Sequence, residues 1–334
     1  MESSGNRSMN TRRLGLALAF AVAAVLPGLA PAQSGYPDRP LKMLVSWPPG
    51  GVTDTVARFA ADNLAKAMNQ SVVVENRPGA NGIVGTQAAA KLPPDGYGLM
   101  AVTAETHAIN PSVYKNLTYD VLRDFDPVAM LARVSFVLAG KADLEASSVQ
   151  ELIALAKSRP GKLSAASYGI GSTSHVGLAS FEKSTATDFT HVPFQGVVPA
   201  VNALLAGQVD IAFVNAFNVE QHRKAGKVKI LGTAGARRIN TIPDVPTLGE
   251  QGVAGFEAGN WYGIVAPRGV PPAVRQRLEA ELQKIATSQA FAERTRAMGV
   301  EVEYRNAAQF GEFLRAEGKR WGDVVRDKKI ELSQ

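Results

Sequence analysis

The sequence predicts an α/β protein of two lobes with a ligand cleft between them. Apolar runs of strand length alternate with segments of helical periodicity, the order expected of a parallel sheet covered by helices. The alternation occurs once in the first third of the chain and again in the middle. A chain of 334 residues is long enough for two such units. Ligands favour the cleft between such lobes, beyond the carboxyl ends of the strands.

The first lobe opens with a strand that runs directly into a glycine-rich loop and a helix. A later run of three consecutive valines is typical of a buried parallel strand. The predicted elements are, in order, strand 41–46, a helix with apolar residues at 56, 60, 64 and 68, strand 71–75, helix 81–92 and strand 97–103.

The second lobe repeats this order, and the tail returns to longer helices. Ser148 with Glu151, and Asn306 with Gln309, have the spacing of capping boxes at helix starts. The remaining predicted elements are strand 163–168, a helix ending at 183, strand 189–193, helix 199–206, strands 210–214 and 228–233, a helix opened by Pro271-Pro272 that runs to about residue 286, and strand 300–304. We therefore assign residues 33–131 and 260–334 to lobe 1, and residues 132–259 to lobe 2.

The N-terminus predicts export from the cytoplasm. Basic residues precede the apolar run 14–26, and Ala30-Pro31-Ala32 offers a small-residue cleavage site. The run is short for a permanent membrane helix. We expect a signal peptide over residues 1–32, cleavage after Ala32 and a periplasmic mature protein. The sequence leaves open Sec or twin-arginine export, and Met1 or Met9 as the start.

Composition and motifs argue against several classes of protein. The absence of cysteine excludes disulfides and thiolate metal sites. Without residues 1–32 the chain has 33 basic and 29 acidic residues, too mild and scattered a charge to predict nucleic-acid binding. It has neither the G-x-G-x-x-G of dinucleotide sites nor a P-loop. The four histidines lack metal-ligand spacing. We therefore expect no cofactor and no metal.

Two loops stand out because each follows the first strand of its lobe and enters a helix. They span residues 49–54 and 169–175 and contain glycines and small hydroxyl residues. Helix N-termini carry unpaired N–H groups and partial positive charge. Two such ends facing one another would form an anion clamp. The alternative is a pair of tight turns in which Thr53 and Ser172 only cap their helices.

A hydrolase is the alternative from another functional class. It would use Ser172 or Ser174 with His175 as its base. The sequence has no G-x-S-x-G elbow, and adjacent Ser and His residues do not by themselves aim a base at a hydroxyl. We therefore favour a binding protein without catalytic activity.

Several short segments across the chain follow one family pattern. They are Tyr36-Pro37-Asp38-Arg39-Pro40, Trp47-Pro48-Pro49-Gly50-Gly51-Val52-Thr53-Asp54, Glu75-Asn76-Arg77-Pro78-Gly79-Ala80-Asn81-Gly82, Pro94-Asp95-Gly96-Tyr97, His107-Ala108-Ile109-Asn110-Pro111, Val192-Pro193-Phe194-Gln195-Gly196, Gly207-Gln208-Val209-Asp210 and Ile242-Pro243-Asp244-Val245-Pro246-Thr247. With these segments the chain resembles the Bug family, the TctC-like receptors of tripartite tricarboxylate transporters. The resemblance implies a type II periplasmic-binding-protein fold, no cofactor and a small carboxylate ligand, either a dicarboxylate, a tricarboxylate or an aromatic acid.

The resemblance also implies which residues contact the ligand and which proteins the receptor meets. Its partners would be membrane permease subunits of a tripartite transporter or a sensor kinase, and we expect a monomer. The implied ligand contacts are Trp47, Gly50, Gly51, Thr53 and Asp54 in the first loop, Thr106, His107 and Asn110 on one wall, Gly171, Ser172, Thr173 and His175 in the second loop, and Asn215 and Phe217 near the far end.

Three positions differ from the usual pattern of the family. Trp47 would make the pocket mouth more aromatic. Glu105 stands where small polar residues are usual, and it could repel a second carboxylate or attract an amine. Val214 precedes Asn215 where many members have an acid, which, with Phe217, favours a less polar or aromatic far end. Trp47 and Phe217 could equally be core residues.

Overall fold

A computed structural model describes residues 35–330 of the chain. The part from Arg39 onward is one compact unit, and residues 35–38 belong to a separate N-terminal unit and form a turn. The predicted signal segment, 1–32, lies outside the described residues. Within the described part, no helix combines the length and apolar character needed to cross a membrane.

Within residues 35–330, ten strands form one continuous, strongly curled network. They are β1 (Leu41–Val45), β2 (Val72–Asn76), β3 (Gly98–Thr103), β4 (Phe125–Lys141), β5 (Ser164–Ser167), β6 (Thr190–Pro193), β7 (Ile211–Asn215), β8 (Val228–Thr233), β9 (Gly259–Pro267) and β10 (Glu301–Arg305). The main order is β2-β1-β3-β9-β4-β7-β5-β6, with β8 and β10 also pairing with β4. Strands β1, β2 and β3 are parallel, as are β5, β6 and β7.

Ten α-helices in the described part of the chain cover the strands. They are α1 (Val52–Met68), α2 (Ile83–Ala90), α3 (Asn110–Val113), α4 (Val149–Ser158), α5 (Thr173–Thr185), α6 (Val197–Leu205), α7 (Ala216–Lys224), α8 (Pro272–Ala286), α9 (Gln289–Arg296) and α10 (Ala307–Asp327). A π-helical turn, Glu105–Ile109, leads directly into α3.

Strand β4 joins the two halves of the network. Residues 125–135 pair antiparallel with β9, whereas residues 136–141 pair with β7 and β8. The chain returns at Gly259, where a Cβ would lie 2.0 Å from the Val134 carbonyl oxygen, so only glycine fits. The two parallel sheets are thus connected by β4 and by the start of β9, while the residue ranges of the two lobes remain a prediction.

Separate hydrophobic clusters support the two halves. The cluster beneath β3, β9 and α10 contains the fully buried Phe310 and Trp321. Another cluster lies between β4, β7, α4 and α5 and is centred on Phe181, whose ring is 5.7 Å from Phe213 and 5.8 Å from Phe256. Each half therefore has its own core, which holds the strand ends and the loops that follow them in fixed positions.

The α/β prediction is confirmed, and most predicted elements lie within a few residues of the observed ones. Five elements were not predicted, namely β4, β9, α3, α7 and α9. Strand β4 is buried for most of its length and contains Pro127 and Arg133, so it shows neither clean alternation nor a short apolar run. The predicted helix 81–92 begins later, because Asn81 is left-handed, with φ of 52°.

The predicted capping boxes differ in outcome. The Asn306–Gln309 box is complete, with both reciprocal hydrogen bonds present. At the other site the Ser148 hydroxyl accepts the Glu151 N–H, but the Glu151 carboxylate accepts from Ser147 instead. The sequence pattern therefore located both helix starts but predicted only one of the two side-chain arrangements in full.

Candidate functional site

The first loop, residues 49–54, and the preceding segment 46–48 are held in place by the carboxylate of Asp54. One carboxylate oxygen accepts the Gly50 N–H at 2.9 Å and Arg58 Nε at 3.0 Å. The other accepts Asn76 Nδ2 at 2.8 Å, and the same amide donates to the Trp47 carbonyl at 2.9 Å. Asp54 therefore connects the loop to α1 and β2, and the i,i+4 pairing with Arg58 expected from the sequence is present.

These contacts keep Asp54 ionised. Burial alone raises the pKa of Asp54, but the hydrogen bonds from Arg58, Gly50 and Asn76 outweigh it and hold the pKa below its ordinary value. Asp54 is 3% exposed, so its charge acts within the loop. We therefore consider Asp54 a residue that positions the loop.

The turn before α2 packs directly against the first loop and the buried wall. Gly82 has φ of +86°, and a Cβ there would lie 2.6 Å from Thr106 Cγ2, 3.3 Å from Ser46 Cβ and 3.6 Å from Trp47 Cζ2. The position is thus restricted to glycine by both conformation and space. This close approach brings the first loop, the turn and the wall into one site.

Three predicted residues form the buried wall. Thr106, His107 and Asn110 are each fully buried on the π-helical turn and α3. Thr106 Oγ1 accepts the Thr103 N–H at 3.1 Å and lies 3.0 Å from His107 Nδ1. Burial lowers the pKa of His107 from 6.5 to about 3, so the ring is neutral at physiological pH.

The second loop is closed by its own side chains. Ser172 Oγ donates to the Gly169 carbonyl at 2.7 Å and accepts the His175 N–H at 3.3 Å, so Ser172 caps α5. The Tyr168 N–H donates to Ser174 Oγ at 2.9 Å. Ser172, Thr173 and Ser174 are all buried, in contrast to the exposed Gly50 and Gly51 of the first loop.

Contacts join the second loop to the first half of the molecule. Asn81 Nδ2 donates to Asn110 Oδ1 at 2.9 Å and lies 3.4 Å from the Gly171 carbonyl. Glu105 accepts the Thr173 hydroxyl at 2.7 Å and the Thr173 N–H at 3.4 Å. The structure therefore brings the predicted wall and the predicted second loop together.

The two helix starts are not equivalent. Helix α1 begins after Gly51, which provides no side-chain cap and is exposed. Helix α5 begins with the Ser172 cap and with Thr173 facing the Glu105 carboxylate. Because an uncapped helix start retains free N–H donors and positive potential, α1 offers the more open anion position.

Three predicted contacts remain, at Trp47, Asn215 and Phe217. Trp47 is half-buried, and its Nε1 is a buried donor without a partner in the described structure. Asn215 lies at the end of β7 beside Phe136, and its Oδ1 is similarly buried without a partner. Phe217 is 61% exposed. Its exposure is evidence against the core alternative.

No role was predicted from the sequence for Asn76, Asn81 or Asn260. Asn76 fixes Asp54 and the Trp47 carbonyl, whereas Asn260 Nδ2 donates to Glu105 at 2.8 Å. The Asn81-Gly82 pair was an available signal, because this dipeptide favours left-handed backbone. Asn260 had no such signal, since it lies in the unpredicted strand β9.

The geometry does not support the hydrolase alternative. His175 Nδ1 accepts the Gly171 N–H at 3.2 Å, and the Ser172 hydroxyl donates to a carbonyl rather than to a base. The His175 ring stacks on His191 at 3.7 Å, and His191 Nε2 lies 2.6 Å from Ser167 Oγ, but Ser167 is fully buried. No cluster of described residues has the composition and spacing of a metal site.

We expect acid to destabilise the protein through its buried histidines. Burial lowers the pKa of His107 and His175 to about 3 and that of His191 to about 4; the neighbouring His191 further lowers that of His175. Below pH 6.5 the unfolded chain thus binds more protons than the folded chain. The contribution of the neutral histidines to the free energy of unfolding is therefore complete above pH 6.5 and is lost as the pH falls toward 4. His107 alone lowers the free energy of unfolding by about 1.4 kcal/mol per pH unit over this range.

Thermal unfolding between pH 7.5 and 4.5 measures this effect. The melting temperature of the wild type should fall steadily below pH 6.5. A His175→Asn/His191→Gln double variant should lose stability less steeply over the same range. An equal slope for the two proteins would show that the stacked pair does not contribute.

Comparison with known proteins places the chain in a family. Residues 56–330 match the family model described as the tripartite tricarboxylate transporter family receptor, TctC. BugT of Bordetella pertussis is 34% identical over 325 residues, which cover 97% of this chain and 100% of BugT.

Solved structures give the same result. The periplasmic binding protein BugD matches with a TM-score of 0.75 and 32% identity, over 89% of this chain and 100% of BugD. An R. palustris protein solved with adipate matches with a TM-score of 0.79 and 31% identity, over 89% and 100% of the two chains. MatC from Rhodopseudomonas palustris, solved with bound malate, has a TM-score of 0.74 and 32% identity, over 86% and 99%.

These matches confirm the predicted type II periplasmic-binding-protein fold. They also confirm the prediction that the chain is a solute-binding receptor and not an enzyme. They extend over both halves of the network. The chain therefore belongs to the TctC family of tripartite tricarboxylate transporter receptors.

Proposed function

We propose that this receptor captures a small carboxylate in the periplasm and delivers it to the membrane permease subunits of a tripartite-type transporter. The observation that carries the proposal is the open start of α1, where Gly50 and Gly51 are exposed and no side chain caps the helix. Its free N–H groups provide an anion position that needs no basic side chain. In this proposal residues 33–131 with 260–334, and residues 132–259, are the two lobes that enclose the ligand.

The charges around this position support a ligand held by N–H groups. Arg58, one turn into α1, is already paired with Asp54 and Asn76. The Trp47 Nε1 is a further unpaired donor beside the loop. A ligand carboxylate at this place would accept hydrogen bonds from both the helix start and the indole.

The relatives support the carboxylate class. One solved structure of similar fold contains adipate, and another contains malate. Both ligands are carboxylates of a size that a cleft between two lobes can enclose. We extend the general class, a small carboxylate, from these proteins to this chain.

A thermal-shift screen of the mature protein tests the proposal. Mono- and dicarboxylates, aromatic acids, sugars and inorganic cations are compared at equal concentration. A ligand at a hundredfold excess over its Kd stabilises the folded protein by about 2.7 kcal/mol, which should raise the melting temperature by several degrees. Shifts confined to sugars or cations would contradict the proposal, and mass spectrometry of native protein can identify a co-purified ligand.

A further inference from the structure

Glu105 is a buried carboxylate that lacks a cationic partner. It is 5% exposed, and none of the ion pairs among the described residues includes it. Its oxygens accept hydrogen bonds from the Thr173 hydroxyl at 2.7 Å, the Thr173 N–H at 3.4 Å and Asn260 Nδ2 at 2.8 Å. A buried charge satisfied only by neutral donors leaves its negative potential uncompensated in the site.

The position of this carboxylate matters because it lies at the start of α5. Thr173 is the first residue of that helix, and its N–H is one of the donors that an external anion would use. The protein thus places its own carboxylate where the second half of the anion clamp would hold the ligand. The clamp predicted from two equivalent loops has one open end, at α1, and one occupied end, at α5.

The surroundings of Glu105 also favour a ligand that donates hydrogen bonds. Asn215 Oδ1 is a buried acceptor without a partner among the described residues, and the Tyr168 hydroxyl is buried in the same way. Asn215 pairs with Phe136 on β4, two residues from Val134, which pairs with the Glu105 partner Asn260. The Tyr168 ring lies 6.1 Å from the Phe136 ring. An ionised carboxylate can accept further hydrogen bonds beyond the three it has.

We infer that Glu105 determines the ligand class. The receptor takes a monocarboxylate whose far end carries an amine or hydroxyl donor, and it discriminates against dicarboxylates. The carboxylate of the ligand binds at the start of α1, and its donor end faces Glu105. A second carboxylate would meet a like charge in a buried site, where repulsion is strongly unfavourable. The inference rests on the proposed function, since it assumes that the ligand lies between the two helix starts.

Two ligand series of matched length test the inference. One contains γ-aminobutanoate, butanoate and succinate, and the other contains ε-aminohexanoate, hexanoate and adipate. Isothermal titration should show that the amino acid of one series binds the wild type at least about tenfold more tightly than the dicarboxylate of equal length. In Glu105→Gln, which keeps the size and an acceptor for Thr173, that ratio should fall by about tenfold or more.

The control is Glu281→Gln, which removes a charge from an equally buried glutamate on α8. It should keep the wild-type ratio. The ratio also separates specificity from stability, because a purely structural role of Glu105 would weaken all ligands equally. The ranking on the wild type needs no variant and stands even if Glu105→Gln does not fold.

The outcomes distinguish the inference from the proposed function. Tighter binding of succinate or adipate than of the amino acids, or an unchanged ratio in Glu105→Gln, would overturn the inference and leave the carboxylate receptor intact. If none of the six compounds binds but another carboxylate of the thermal-shift screen does, the inference is overturned and the carboxylate receptor stands. If no carboxylate binds, both are contradicted.

Discussion

Asp54→Ala should weaken carboxylate binding by about ten- to a hundredfold, because it removes the group that orders the first loop. The variant leaves the Gly50 N–H and Arg58 Nε without their shared acceptor and takes one of two acceptors from Asn76 Nδ2. Hydrogen bonds to a charged group contribute about 1.5–3 kcal/mol each, so part of the loss should appear as lower thermal stability. Isothermal titration with the best carboxylate from the screen, and thermal unfolding without ligand, measure the two effects.

Asp62→Ala is the matched control for this prediction. Asp62 is an exposed aspartate on the same helix, so its removal changes the charge of α1 by the same amount without touching the loop. Binding by Asp62→Ala should remain close to that of the wild type. If Asp54→Ala also binds normally, the loop is not ordered by this carboxylate and the arrangement around Gly50 has no role in affinity.

The sequence predicted those parts of the site that depend on local pattern. Glycines and small hydroxyl residues at the end of a strand indicate a helix start, and both helix starts lie where the pattern placed them. The Asp54–Arg58 pair follows from helical spacing alone. These features need information from only a few neighbouring residues.

The parts that the sequence did not predict depend on contacts between distant segments. Nothing in the two loops shows that Glu105, about 68 residues before Thr173, fills the start of α5. The amide of Asn260 reaches the same carboxylate from β9, a strand whose burial removes the usual alternation. Side-chain contacts between distant segments of the chain therefore decide which of the two similar helix starts is open.

Gly82→Ala should reduce both stability and ligand affinity by a large amount. At φ of +86° an alanine is strained, which costs about 1 kcal/mol or more. The added methyl group also lies 2.6 Å from Thr106 Cγ2, and both Thr106 and Ser46 are fully buried, so the wall or the first loop must shift. Small-to-large changes in packed interiors cost about 1–3 kcal/mol, and a displaced loop should weaken carboxylate binding by more than about tenfold.

Gly252→Ala separates backbone strain from displacement of the site. Gly252 has φ of +91°, but a Cβ there meets no atom within 4 Å. Both variants should therefore lose stability because alanine is strained at positive φ, whereas only Gly82→Ala should also lose affinity for the carboxylate. Thermal unfolding and titration of the two variants side by side give this comparison. Equal affinities would mean that Thr106, Ser46 and Trp47 move without disturbing the ligand, and the wall and first loop would then have to be placed outside the binding site.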